Sequence, residues 1–264
     1  MPMIGCTTGA KRLRPGNEYI LFKNRDFKRQ HFEDRVILTN KAFGVLGLET
    51  WDGKNPDQDR FSGFSIGFNA HLACCDSNVR TIVNGDNYDK LVQAVVQNCD
   101  TVAQAVDCVR QLVSEQLFCW ANMLVATVEG VAALEIRDHH VAIERNAEAI
   151  ARSNHHICLG ATPEDDDTTT SVPRFQSVVN GLRRIKTVDD VFPLLRSHEP
   201  DPQHSICNHG VYDTVYSYVI HWKDGKTTFY VAQGHPCQSA KYVKLPINFG
   251  QETNLSSYPS RRAT

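Results

Sequence analysis

A cysteine close to the start of the sequence has the features of a nucleophile that acts once it becomes the first residue. Cys6 follows Gly5, the least hindered residue for attack of a thiol on the preceding carbonyl, so the Gly5–Cys6 bond could cleave itself. The freed α-amine, with an ordinary pKa of about 7.7–8.0, would lie on the same residue as the thiol and could take its proton. Asp26 could accept hydrogen bonds from this amine and hold it toward the sulfur. These residues would support acyl transfer through a thioester on Cys6.

Taken alone, the same residue types also fit a purely structural interpretation, which is the simpler one. An isolated cysteine is usually a small buried hydrophobic residue, and an aspartate after a strand is usually a turn residue. The predicted elements and the further motifs of the chain therefore decide between the two.

Composition indicates a single domain that acts on small molecules. The 264 residues, 41% of them hydrophobic, suffice for one substantial core, and the formal charge of −2 lacks the basic excess of nucleic-acid or anionic-membrane binders. No apolar run approaches the roughly 20 residues that span a bilayer, and the first five residues lack signal-peptide character, so we expect a cytoplasmic protein. The nine cysteines are scattered along the chain, and we expect most of them to be reduced and buried.

Hydrophobic periodicity predicts blocks of strands that alternate with paired helices. Apolar runs predict strands at residues 4–8, 18–22, 35–38, 43–48, 64–68, 72–75, 122–128, 132–136, 141–144 and 149–152, the first six as an antiparallel meander. Helical spacing predicts two amphipathic helices within 89–116 and two more at 172–184 and 188–195. Residues 212–222 and 227–232 flank an Asp-Gly turn and predict a hairpin. This order indicates an α+β fold with antiparallel sheets covered by helices.

Short motifs spread along the chain follow one another in an order typical of a single enzyme family. They begin with Gly5-Cys6-Thr7-Thr8 and Asn24-Arg25-Asp26-Phe27, continue with residues 67–73 followed by Asn78, and then with residues 152–156. Segments at 171–174, 194–198, 205–209 and 234–237 complete the series. The set resembles the penicillin acyltransferase family, meaning isopenicillin N acyltransferase and its relatives among the N-terminal-nucleophile hydrolases. Residues 67–73 also resemble a stretch shared with the choloylglycine hydrolases.

The resemblance implies both a fold and a set of catalytic residues. The implied fold is a four-layer αββα sandwich, in which two antiparallel sheets are covered by helices. By matching motifs, Cys6 is implied as the nucleophile and Asp26 as the carboxylate on the amine side. Asn78 and Asn154 are implied as the residues of the oxyanion hole.

Two departures from the family limit what the resemblance implies about the substrate. Only five residues precede Cys6, whereas the penicillin-acting enzyme has a long pro-segment, and Asn208 stands where the family motif Ile-Cys-Arg-His has arginine. We therefore expect an amidohydrolase or acyltransferase acting on a small acylated amine or peptide-like amide, with water or an amine as acceptor and without a cofactor. Arg25, Asn69 and His155 are the expected substrate-binding residues.

The predicted domain organisation is simple. We expect residues 1–5 to be a leader that self-cleavage removes, residues 6–250 to be one catalytic domain, and residues 251–264 to be a disordered tail. A carrier protein and a second copy of the chain are further candidate partners.

Alternatives of two kinds stay open. In the first, the unprocessed chain uses the Cys6 thiol on a coenzyme A or carrier-bound thioester. In the second, the chain is a catalytically silent binding protein of the same architecture, or a zinc or redox protein that uses its many cysteines. The residues His155, His156, Cys158 and Cys207 could be zinc ligands, but their spacing matches no common structural zinc site, so no metal site is predicted.

Overall fold

The computed structural model describes residues 4–27, 34–48, 61–160, 170–250 and 255–259, which form two antiparallel sheets and two pairs of helices. The strands are β1 (Ile4–Leu13), β2 (Glu18–Phe27), β3 (Val36–Leu38), β4 (Ala42–Leu48), β5 (Phe61–Asn69), β6 (Leu72–Arg80), β7 (Trp120–Thr127), β8 (Val131–Arg137), β9 (His140–Asn146), β10 (Ala149–Arg152), β11 (Asp213–Lys223), β12 (Lys226–Gln233) and β13 (Val243–Ile247). The helices are α1 (Asp89–Asn98), α2 (Val102–Glu115), α3 (Ser171–Leu182) and α4 (Val191–Leu195), with a 3₁₀ turn at Val188–Asp190.

The strand order places the start of the chain inside a sheet. One sheet has six strands in the order β10-β1-β2-β11-β12-β13, and the other has seven in the order β3 to β9. Strand β1 therefore pairs on both sides, with β10 and with β2.

The inner faces of the two sheets share one hydrophobic core. Phe43 and Phe68 of the seven-stranded sheet pack against Phe229 of the six-stranded sheet, with ring centroids 4.9 and 6.2 Å away from that of Phe229. Neighbouring residues of a strand face opposite sides of a sheet. Cys75 accordingly lies in this inner core, whereas Cys74 lies in the outer core of its sheet, so both are packing residues.

Helices cover the outer face of each sheet. Helices α1 and α2 pack on the seven-stranded sheet through buried apolar residues at helical spacing, among them Val92, Val95 and Val109. Helices α3 and α4 pack on the six-stranded sheet through Val178, Leu195 and their neighbours. The predicted four-layer αββα sandwich is confirmed. Among the described residues, every helix is too short or too polar to span a lipid bilayer.

The predicted elements differ from the structure in three places. The first six strands do not form one meander, because β1 and β2 belong to one sheet and β3 to β6 to the other. Strand β2 continues to Phe27, through a polar stretch whose side chains are buried. Strand β13 was not predicted, since Pro246 interrupts its apolar alternation, and proline is tolerated there because β13 lies at a sheet edge.

The predicted hairpin between β11 and β12 is confirmed. Asp224 and Gly225 have φ angles of 48° and 81°, the left-handed conformation that a tight two-residue hairpin turn requires. The predicted tail is described only at residues 255–259, where Tyr258 is buried and its hydroxyl donates to Asp34 Oδ2 over 2.5 Å. This part of the tail is anchored to the domain.

We expect Phe229→Ala to lower the free energy of unfolding by about 3–5 kcal/mol, because it opens a cavity among the rings between the sheets. Val83→Ala is the control, since Val83 is 79% exposed and its truncation should change the free energy by no more than about 0.5 kcal/mol. Urea unfolding of the two variants and the parent measures both values. Equal losses in the two variants would contradict the shared inner core.

Candidate active site

The two strands that carry Cys6 and Asp26 are paired residue by residue. Gly5 lies opposite Asp26, and Cys6 lies opposite Arg25. Residues that face each other across an antiparallel pair share one side of the sheet, whereas neighbours alternate. The Asp26 carboxylate therefore approaches the Gly5–Cys6 bond from the Gly5 side of the sheet, and the Cys6 thiol lies on the other side with Arg25.

The main chain of Cys6 is held at both of its polar groups. Its N–H donates to Asn154 Oδ1 over 3.0 Å. Its carbonyl oxygen accepts from Ser153 Oγ at 3.1 Å and from Arg174 Nη1 at 2.9 Å. Self-cleavage would break the Gly5–Cys6 peptide bond, and the nitrogen atom of that bond is held in place by Asn154.

Arg174, on α3, links the residues around this bond. Besides the Cys6 carbonyl, Nη1 donates to Thr7 Oγ1 at 3.0 Å and lies 3.4 Å from Asp26 Oδ2, while Nη2 donates to Asn154 Oδ1 at 2.8 Å. The side chain is only 2% exposed. A planar guanidinium can serve several acceptors in fixed directions, so Arg174 sets the relative positions of Asp26, Asn154 and the Cys6 backbone.

Asp26 is a fully buried carboxylate with two partners. Thr214 Oγ1 donates to its Oδ1 at 2.7 Å, and Arg174 faces its Oδ2. Burial raises the pKa of Asp26 from 3.8 to about 6, although Arg174 and Thr214 both act in the opposite direction. Asp26 is therefore ionised at neutral pH and becomes protonated in mildly acidic solution.

Gly5 fits closely against this carboxylate. A Cβ atom added at Gly5 would lie 3.2 Å from Asp26 Cβ and 3.3 Å from Asp26 Oδ2. Since Asp26 is anchored on both oxygens, a larger residue before Cys6 would displace either the carboxylate or the peptide bond.

The Cys6 thiol is buried, with 1% of the residue exposed. Burial raises its pKa from 9.0 to about 11, and the nearby Lys23 ammonium opposes that change. Lys23 is itself buried and pairs with Asp76 Oδ1 at 2.7 Å. With Gly5 attached, the sulfur is a neutral thiol at physiological pH.

The model of a family described as acyl-coenzyme A:6-aminopenicillanic acid acyl-transferase matches residues 13–236, most of the chain. The chain belongs to this family. The match includes Asp26, Asn78, Asn154 and Arg174 and begins after Cys6. Among curated proteins, none matches the chain.

Membership in the acyl-coenzyme A:6-aminopenicillanic acid acyl-transferase family confirms the expected relationship and the fold. The two helix-covered sheets are the N-terminal-nucleophile hydrolase architecture of this family. Membership also indicates acyltransferase or amidohydrolase activity on small molecules.

Two asparagines of this family member are joined beside Cys6. Asn154 Nδ2 donates to the backbone carbonyl of Asn78 over 2.6 Å, while its Oδ1 is the acceptor for the Cys6 N–H. The side-chain oxygen of Asn78 is buried without a hydrogen-bond partner. A buried acceptor without a partner has a free-energy cost.

Glu135 orders the loop that carries Asn154. Its buried carboxylate accepts from the backbone N–H groups of Ile157, Cys158 and Leu159 at 2.8–3.0 Å and pairs with Arg152 Nε at 2.9 Å. Burial alone would raise the pKa of Glu135, but these donors and Arg152 together lower it, so the carboxylate stays ionised. The loop around Asn154 is consequently built around a fixed anion.

Two of the three expected substrate-binding residues lie close to this centre. Arg25, opposite Cys6, is buried and pairs with Asp34 Oδ1 at 3.1 Å. His155 follows Asn154, and its Nδ1 lies 2.6 Å from Ser171 Oγ. The same hydroxyl accepts from the Asn154 backbone N–H at 2.7 Å, so the two residues are positioned together.

The side chain of Asn69, the third expected substrate-binding residue, is hydrogen-bonded to the backbone of the fold. Its Oδ1 accepts from the N–H groups of His71 and Leu72 in the turn between β5 and β6. Its Nδ2 donates to the carbonyls of Val96 and Cys99 at the end of α1. An asparagine side chain has two donor hydrogens and two acceptor positions, and here all four are used by the fold.

The zinc set considered from the sequence is not brought together. His155 contacts Ser171 and the Cys158 sulfur lies 3.8 Å from Arg152 Nη2, whereas the Cys207 sulfur lies 3.5 Å from His209 Nε2 in another loop.

The sequence did not predict the roles of Arg174, Ser153 and Thr214 around Cys6 and Asp26. For Arg174 a signal was present, because the segment 171–174 belongs to the family resemblance.

We expect the Asp26 carboxyl group to titrate near pH 6 in the Cys6→Ala chain, which keeps Gly5 attached. Thr214→Val removes a hydrogen bond to the ionised form and should raise this pKa further, because the charged state loses a donor. Thr8→Val is the control, since Thr8 Oγ1 donates to the carbonyl of Arg152. Carbon-13 NMR titration, assigned with Asp26→Asn, measures each value. A titration at the ordinary value of 3.8 would refute the buried geometry.

Proposed function

We propose that this chain is a cysteine N-terminal-nucleophile amidohydrolase or acyltransferase that removes residues 1–5 by itself and then works through an acyl thioester on Cys6. The observation that carries the proposal is the anchoring of the Cys6 nitrogen and carbonyl by Asn154, Ser153 and Arg174. Strand β10 pairs with β1 only as far as Thr8, so side chains rather than a neighbouring strand hold the Cys6 backbone and fix its position.

The proposed self-cleavage is an acyl shift followed by hydrolysis. The Cys6 sulfur attacks the carbonyl carbon of Gly5, the C–N bond breaks, and the nitrogen takes the proton that the thiol gives up. The acyl group of residues 1–5 is then held as a thioester. Water hydrolyses this thioester, which releases residues 1–5 as a free acid and leaves Cys6 with both a thiol and a primary amine.

In the proposed catalytic cycle the new amine is the base. It takes the thiol proton, the thiolate attacks the carbonyl of the acyl donor, and the resulting ammonium gives its proton to the leaving group. Asn154 Oδ1, which accepts from the Cys6 nitrogen, keeps the amine in place, and the ionised Asp26 stabilises the ammonium form. Water or an amine then takes the acyl group from Cys6.

Asn78 and Asn154 have complementary roles in this proposal. The assignment of Asn78 as an oxyanion donor comes from the family resemblance, and its side-chain Nδ2 would be the donor, since its Oδ1 can only accept. Asn154 binds the carbonyl of Asn78 and the nitrogen of Cys6, so it holds the proposed donor and the amine at a fixed distance from each other.

The unprocessed chain is a weaker candidate. With a pKa of about 11, roughly 3 thiols in 10,000 would be ionised at pH 7.5. The Cys6 nitrogen is then an amide that donates to Asn154, so it has no lone pair available for a proton.

Acyl-coenzyme A is the donor that the family description favours, and we propose it as the first class to test. The second substrate is left as water or a small amine, because Asn208 replaces the arginine of the family motif.

Intact mass spectrometry should find that the wild-type chain begins at Cys6, whereas Cys6→Ala retains Gly5. Loss of Met1 alone is not evidence of self-cleavage, because ordinary aminopeptidases remove a Met1 that is followed by proline. Cys158→Ala is the control, since Cys158 is exposed, and it should be processed like the wild type.

Incubation with a panel of acyl-coenzyme A thioesters should add one acyl mass to the processed chain and none to Cys6→Ala. A chain that turns over acyl donors while keeping residues 2–5 would defeat the amine-as-base mechanism.

We expect the rate of self-cleavage to fall in the order wild type, Gly5→Ala, Gly5→Val. Each added methyl group presses on Asp26, which Thr214 and Arg174 prevent from moving away. Pulse labelling in a cell-free translation reaction, with intact mass read at successive times, measures the rates. Cleavage of Gly5→Val at the wild-type rate would show that contact between Gly5 and Asp26 is irrelevant to processing.

A further inference from the structure

Two histidines and two cysteines converge at one end of the six-stranded sheet. His198 follows α4, Cys207 and His209 precede β11, and Cys237 follows β12. One ring nitrogen or sulfur from each of the four lies within 4.8 Å of those of the other three. The nitrogens Nε2 of His198 and His209 are 3.1 Å apart, and His209 Nε2 lies 3.5 Å from the Cys207 sulfur and 3.3 Å from the Cys237 sulfur.

The three separations that involve His209, 3.1, 3.3 and 3.5 Å, are close to the edges of a tetrahedral zinc site, and the others, at up to 4.8 Å, would contract when a metal binds. Zinc binds cysteine sulfur at about 2.3 Å and histidine nitrogen at about 2.0–2.1 Å, so neighbouring ligand atoms of a tetrahedron lie about 3.3–3.8 Å apart. Two thiolates and two imidazoles form one of the common structural ligand sets, and two thiolates neutralise the charge of the dication. The spacing along the chain, with Cys237 28 positions after His209, follows no common motif, which explains why the sequence predicted no metal site.

Two hydrogen bonds, one between backbone groups and one from a side chain to the backbone, hold the three contributing segments together. The N–H of Cys207 donates to the carbonyl of Ser197 at 3.1 Å, which ties the Cys207 segment to the residue before His198. Arg196 Nε donates to the carbonyl of Pro236 at 3.0 Å, next to Cys237. The ligand positions are therefore linked through the fold.

The neighbouring histidine is part of the same assembly. The His235 ring stacks on that of His209 with centroids 3.8 Å apart, and its Nε2 lies 3.2 Å from Asp213 Oδ1. Both rings pack within the cluster, since that of His209 also lies edge-on to that of His198.

A disulfide between Cys207 and Cys237 would satisfy only part of this arrangement. It would join the two sulfurs, but it would give no reason for the imidazole nitrogens of His198 and His209 to meet at the same point. Metal binding uses all four side chains.

We propose that His198, Cys207, His209 and Cys237 bind one zinc ion as a closed structural site. Both thiols lose their protons to solvent when the metal binds, and four protein ligands leave no position for a substrate. The site is separate from Cys6 but supports it, because Asn208, between two ligands, donates its N–H to Thr214 Oγ1 at 2.9 Å, and Thr214 in turn holds Asp26.

Elemental analysis of the full chain, purified without chelator or oxidant, should find on the order of one zinc per chain. Cys237→Ser and His198→Gln should each retain much less, and His198→Gln is the safer variant to fold because His198 is exposed. Cys158→Ser is the matched control, an exposed cysteine outside the cluster that should keep the full metal content. The readout does not depend on acyl-transfer activity, so its failure is distinct from failure of the proposed function.

Cobalt replacement provides a second readout. The reduced wild-type chain loaded with Co²⁺ should show the intense sulfur-to-metal absorption of thiolate ligands, and Cys237→Ser should weaken it. Three results would overturn the proposal: no zinc bound by the reduced wild-type chain after zinc is added, full zinc content in both ligand variants, or a Cys207–Cys237 disulfide in peptide maps of the unreduced protein.

Discussion

The guanidinium of Arg174 is the constraint on which the arrangement around Cys6 depends. A buried cation must be paired and hydrogen-bonded, and Arg174 finds its acceptors on β1, on β2 and on the loop after β10. Helix α3 therefore cannot shift relative to these elements without leaving a charge unpaired in the interior. The loop is fixed from its other side by Glu135, whose carboxylate collects three consecutive backbone N–H groups. Packing of aliphatic side chains alone would not specify positions this closely.

The fold was largely predictable because its cores obey simple periodicities. The valines of α1 and α2 repeat at helical spacing, and most strands alternate or are continuously apolar. The prediction failed at Lys23 to Asp26, where four polar residues lie in the middle of the sheet. Each is buried because its partner comes from elsewhere, such as Asp76 for Lys23 and Asp34 for Arg25. The pattern of hydrophobic residues along the chain does not show which distant residues pair with these polar side chains.

The site was predictable only where a motif marked it. The resemblance pointed to Cys6, Asp26, Asn78 and Asn154, and the structure brings the first, second and fourth of these into contact with Arg174. The role of Thr214 could not be predicted, since its hydroxyl binds Asp26, which lies 188 positions away in the sequence. The histidine and cysteine cluster was missed for the same reason: three separate segments become neighbours only after the sheet forms. Local spacing is informative for ligands on one hairpin or helix and uninformative here.

The hydrogen bonds from Asn208 through the Thr214 hydroxyl to Asp26 all donate in the same direction. The N–H of Asn208 occupies a lone pair of the oxygen, so the hydroxyl hydrogen is directed to Asp26 Oδ1. Because an N–H cannot accept in return, a proton cannot pass from the Thr214 hydroxyl to Asn208. Asp26 is thereby left with unequal oxygens, one capped by a neutral donor and the other, Oδ2, turned toward Gly5 and Arg174. One oxygen of Asp26 thus faces a neutral hydroxyl, and the other faces a cation beside the Gly5–Cys6 bond.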